Sequence, residues 1–122
     1  LGTHLNDVLV SGNGAYALSS KLPVTGEPVT ARASDCFKAL QSLREQAATA
    51  GWALHCMGAR RNVWPSGMAR DMGGGLKAYL MTMGKHARRE DLVGIFEPDD
   101  APDGSTVAEQ KAFFEKWLDS LR

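Results

Sequence analysis

The sequence predicts an α+β fold, a mainly antiparallel sheet of about five strands with two amphipathic helices packed on it, in a single globular domain spanning residues 1–122. Three observations predict it. Short apolar runs follow one another along the chain with few helical interruptions, and strands joined without crossover helices pair antiparallel. Two stretches carry apolar residues at helical rather than alternating spacing. Finally, 43% hydrophobic residues supply one ordinary core, and 23% charged residues are too few for global disorder.

The first third reads as short strands. "LNDVLV" ends in Val8, Leu9 and Val10, and "SGNG", from Ser11 to Gly14, signals a turn because Gly and Asn tolerate positive φ. "AYALSS" is the return strand. "LPVTGEP", with Pro23, Gly26 and Pro28, suits a loop or edge strand, and Val29 to Arg32 form another short strand. The first helix covers roughly residues 35–50. Ser34 is its expected N-cap, Asp35 sits by its positive end, and Gly51 stops it in the left-handed conformation. Cys36, Leu40, Leu43 and Ala47 share one face.

"GWALHCMG" and "LKAYLMTMG" are apolar on both alternating faces, as expected of central strands, and "LVGIFEP" is a third apolar run stopped by Pro98 and the acidic "DDAPDG". The second helix opens with a capping box, Thr106 and Glu109. Phe113, Phe114, Trp117, Leu118 and Leu121 repeat along it as an aromatic stripe expected to pack on the sheet.

Charge is unevenly spread. The chain is formally neutral, yet residues 59–89 hold seven bases against Asp71, while residues 90–122 hold nine acids against three bases. Either the fold brings these parts together or it displays a basic and an acidic face. Cys36 and Cys56 are too few for a disulfide scaffold or a cysteine zinc site and read as reduced core thiols. No apolar run approaches the roughly 20 residues of a membrane helix. No basic stretch precedes an apolar one near the start, so no signal peptide is visible. The chain begins at Leu1 rather than Met, which leaves room for a removed leading segment.

The stretch from Met57 to Tyr79 is the most informative. It holds Arg60, Arg61 and Arg70, Trp64, and five glycines, and it is far longer than a hairpin turn of about two to five residues. Gly73 to Gly75 can expose amides to a phosphate, but a P-loop lysine–hydroxyl pair is missing and the glycines precede a strand. His55, Ser66 and Asp71 could be drawn together as a triad, though nothing in their spacing demands it. No His, Cys or carboxylate spacing suits a metal, and "EPDDAPDG" lacks the order of a calcium loop. A basic strip with Trp64 and Tyr79 suits nucleic acid. Trp, Arg and Met are also the residues enriched at protein interfaces, and Pro65 would stiffen such a loop. The competing use is a self-packed loop whose Trp64 and methionines close over the core.

Between Gly51 and Gly84 the chain carries G-W-x-L-x-C-x-G-x-R, then P-S-G-M-x-R-D-M-G-x-G and an A-Y strand. In this region it resembles small bacterial immunity proteins encoded beside polymorphic toxins, including those of contact-dependent growth inhibition. The resemblance implies a cytoplasmic, non-catalytic antitoxin without metal or cofactor, which binds and blocks a toxin domain, a nuclease being the expected kind. Such families share no catalytic motif to transfer. Inhibitors of nucleases are often acidic, so either the acidic C-terminal part meets a basic toxin or the basic stretch fills an acidic surface. The expected partner-binding residues are Arg60, Arg61, Trp64, Met68, Arg70 and Asp71, acting by steric blocking with charge complementarity. The alternative is a nucleic-acid-binding module using residues 59–89.

Overall fold

The computed structural model describes residues 2–3 and 16–122, and the backbone of residues 9–12. It contains both helices and strands, so the chain is α+β, but among the described residues no five-stranded sheet forms. Three smaller sheets take its place. Gly2–Thr3 (β1) pairs in parallel with Ala53–Leu54 (β5). Leu9–Gly12 (β2), Tyr16–Lys21 (β3) and Pro28–Ala33 (β4) form an antiparallel meander, in register from Tyr16↔Ala33 to Lys21↔Pro28. Val63–Trp64 (β6), Lys77–Leu80 (β7) and Leu92–Gly94 (β8) form a second antiparallel meander.

The early strand expectations hold in outline. Ser11 and Gly12 lie inside β2 rather than in a turn, and the rest of "SGNG", like Val8, lies outside the described residues. The expected central strand "GWALHCMG" is cut to two residues. After an isolated bridge from Cys56 to Pro98, the chain tightens into a 3-10 turn at Met57–Ala59. An apolar run that is buried on both faces does not by itself say that it is extended.

Helix α1, Cys36–Thr49, lies across the first meander. Asp35 rather than Ser34 caps it, its carboxylate accepting from Lys38 N at 2.8 Å. Gly51 follows the last turn at φ 86°. Cys36, Phe37, Ala39, Leu40, Leu43 and Ala47 are buried on its inner face. Leu18, Val29 and Ala31 of one meander, Val63 and Ala78 of the other, and Ile95 just beyond β8 join them in one hydrophobic cluster. Full burial of a side chain such as Leu40 or Phe37 stabilises by about 1.5–3 kcal/mol.

Two further helices complete the fold: α2, Gly67–Gly73, and α3, Val107–Ser120. The Thr106 capping box forms as expected, with Glu109 N on Thr106 Oγ1 at 3.1 Å and Thr106 N on Glu109 at 2.9 Å. The aromatic stripe does not become core. Phe113, Phe114 and Trp117 are half-buried, Leu118 is exposed, and the one buried residue of α3 is Gln110.

Candidate functional site

The long stretch between β5 and β7 is not a structureless loop. It comprises the 3-10 turn, β6 and α2, and most of its charged and aromatic residues have internal work. Arg60 forks onto Asp99 through Nε and Nη2, both at 2.8 Å, and Nη2 also reaches Ala101 O at 3.4 Å. Asp99 is only 2% exposed, and this bond holds its carboxyl below the usual carboxylate range. Arg61 donates its backbone N–H to Asp103 at 2.9 Å, and its guanidinium lies 5.7 Å from the Phe113 ring centre. The basic segment and the acidic segment therefore meet at this point, which removes part of the charge asymmetry of the chain.

Beneath this junction lies a polar cluster that the apolar pattern gave no hint of. Gln110 Oε1 accepts from Arg44 Nη1 at 2.6 Å, while Gln110 Nε2 serves the carbonyls of Gly58, Arg60 and Val63 at 2.8–3.0 Å. Arg44 Nη2 reaches Ala59 O and Ser105 O. One amide thus satisfies three carbonyls of the irregular backbone of residues 58–63. In sequence, Arg44 falls off the apolar stripe of α1, and Gln110 belongs to no motif.

Trp64 stacks on Phe114 with ring centres 4.6 Å apart and meets Phe37 edge-on at 5.2 Å. Arg70 lies over both rings, 5.2 Å from Phe37 and 5.3 Å from Trp64, and ion-pairs with Asp35 at 3.1 Å. Trp64 and Arg70 therefore tie α2 and α3 to the start of α1.

Helix α2 begins where Ser66 Oγ accepts from Ala69 N at 3.0 Å. It ends at Gly74, φ 65°, followed by Gly75, φ 72°. A Cβ on Gly74 would lie 2.5 Å from Tyr16 Oη, and one on Gly75 would lie 2.9 Å from Asp35 and 3.0 Å from Phe37 N, so the backbone needs glycine at both. The N–H groups of Gly74 and Gly75 turn back to Ala69 O, and Gly74 O accepts from Cys36 N at 2.7 Å. The glycines thus follow a helix and seat it on the first amide of α1. These donors, which a phosphate would need, are committed internally.

What α2 turns outward is different. Met68 is 72% exposed and Met72 82%, with exposed Asp71 between them and exposed Leu76 just beyond. Positions 68, 71 and 72 are neighbours on one helical face. Of the six residues expected to grip a partner, Met68 and Asp71 stand free on this face and Arg61 is exposed. Arg60, Trp64 and Arg70 are partly buried in structural contacts.

His55, Ser66 and Asp71 do not assemble. Ser66 caps α2, Asp71 lies on its outer face, and His55 lines a cavity whose wall includes neither. Cys36 and Cys56 are free and buried. Burial pushes the Cys56 thiol up to about 11 and raises Cys36 as well, so both are held as unreactive thiols. Among the described residues, no cluster of His, Cys, Asp or Glu has metal-site geometry, and no helix is long and apolar enough to cross a membrane. Compared with protein-family models and with curated proteins, the chain matches none.

Proposed function

We propose that the chain is a non-catalytic protein-binding module of the immunity type, which sequesters a bacterial toxin domain in the cytoplasm of the producing cell by blocking it sterically. The outer face of α2 is its grip. The observation that carries this reading is the exposure of Met68 and Met72 beside inward-turned Trp64 and Arg70. The helix is braced from behind by an ion pair, ring contacts and a capped start, so its unsatisfied apolar face is presented at little ordering cost. Methionine is polarizable and adaptable, which suits a surface that fits a partner. The resemblance between Gly51 and Gly84 covers this same helix.

The test is calorimetric titration with the toxin domain encoded by the neighbouring gene. Met68→Glu combined with Met72→Glu should weaken the complex by about thirtyfold or more while leaving the circular dichroism spectrum unchanged. Full affinity in the double variant would move the interface elsewhere. Absence of any complex would remove the immunity reading itself.

The nucleic-acid alternative has narrowed with Arg60 and Arg70 committed to carboxylates. It keeps Arg61, Lys77, Lys85, Arg88 and Arg89, all exposed. It predicts oligonucleotide binding that falls steeply with salt.

A further inference from the structure

A second site lies between the latter half of α1, β5 and the acidic loop that leads into α3. It shares no lining residue with α2 and does not depend on the toxin-binding reading. The cavity holds about 280 Å³ and is lined by Arg44, Glu45, Trp52, Leu54, His55 and Val107 among others.

Arg44 is the unusual member. It is 7% exposed, yet none of the ion pairs among the described residues involves it. Its three hydrogen bonds all go to neutral oxygens, those of Gln110, Ala59 and Ser105. Its Nε donates none of them. Since no buried side-chain nitrogen or oxygen among the described residues lacks a partner, that Nε is not fully enclosed, and Arg44 is part of the cavity wall. Taking a cation out of water without a counter-ion is costly, and neutral acceptors offset only part of that cost. Burial accordingly lowers the pKa of Arg44, opposed by Cys56, Asp103 and Glu45.

The carboxylates in the wall are unequal. Asp99 is taken by Arg60, and Asp103 accepts from Ser105 N, Ser105 Oγ and Arg61 N. Glu45, exposed, carries no ion pair among the described residues.

We propose that this cavity binds a small organic monocarboxylate, whose oxygens accept from Arg44 Nε while its apolar body rests on Trp52 and Leu54. The volume falls just below the range of about 300–1,000 Å³ usual for ligand pockets, so the body must be compact. Glu45 selects against a second negative charge on the ligand.

The test titrates the full chain with isovalerate, benzoate and phenylacetate, each beside its neutral amide, reading the indole N–H resonance of Trp52 and the ring resonances of His55. At least one acid should move both sets of signals and bind about tenfold or more tighter than its amide, the loss expected when a charge-assisted hydrogen bond is removed. Glu45→Gln should tighten that acid further. Ala48→Phe, at an exposed helical position in the cavity wall, should abolish the response with the fold intact. The proposal is overturned if none of the three acids moves these signals, if acid and amide bind equally, or if the response survives Ala48→Phe.

Discussion

The two long helices have the same length, fourteen residues, and both look amphipathic, yet they are held in different ways. α1 buries an apolar face of six residues together with Arg44, while α3 buries a single glutamine and leaves its aromatic stripe half in solvent. Helical periodicity tells which face packs, not how deeply or with what chemistry. α1 is held mainly by removal of apolar surface from water. α3 is held by directional bonds from Gln110 and by stacking of Phe114 on Trp64.

The largest effect that separates them should come from paired truncations. Leu40→Ala should cost about 2–5 kcal/mol and lower the whole denaturation curve, because Leu40 is fully buried in the hydrophobic cluster. Gln110→Ala should cost about 1–3 kcal/mol, and Gln110→Leu should not restore the loss, since carbonyls and the Arg44 guanidinium are then left without their amide. If Gln110→Leu were as stable as wild type in urea denaturation, α3 would be held as α1 is.

Next comes Asp99, which anchors the loop leading into α3. Asp99→Asn should destabilise by about 2 kcal/mol at neutral pH. Its folded carboxyl is held low by Arg60, so this contribution is present above the unfolded value of about 3.9 and is lost as pH falls through the lower folded value. The gap in melting temperature between wild type and Asp99→Asn should therefore close on acidification, and a gap that persists in strong acid would assign the effect to packing instead.

The two N-caps close the series. Asp35→Ala removes both the cap of α1 and the Arg70 ion pair and should cost about 2 kcal/mol, whereas Thr106→Ala removes a cap alone and should cost about 1 kcal/mol. Equal losses in thermal melts would mean that the Arg70 contact adds nothing.

Much of α1 was legible because Cys36, Leu40, Leu43 and Ala47 repeat over several turns and Gly51 punctuates the end. The Thr106 box was legible for the same local reason. The cap of α1 shifted by one residue because Ser34 and Asp35 both suit it, and tertiary placement beside Arg70 favours the carboxylate. α2 was hidden by its composition: seven residues bounded by glycine have poor intrinsic helicity, and its stability comes from Ser66 and Arg70. At the candidate site, Met68 and Asp71 stood out by residue type and are exposed, but no periodicity reveals that Arg60 is spent on Asp99, thirty-nine positions away. Long-range pairing of polar groups leaves no local trace.

The Gln110 amide also bears on the order in which the molecule can be completed. The carbonyls of Gly58, Arg60 and Val63 and the Nη1 of Arg44 all wait for one side chain, at position 110 of 122. On a chain growing from its N-terminus, the first meander and α1 can assemble while these groups are still bonded to water. The turn, β6 and the seat of α3 settle only after position 110 arrives. A chain halted shortly before that residue would carry nearly all its hydrophobic core, yet leave its central turn hydrated and open.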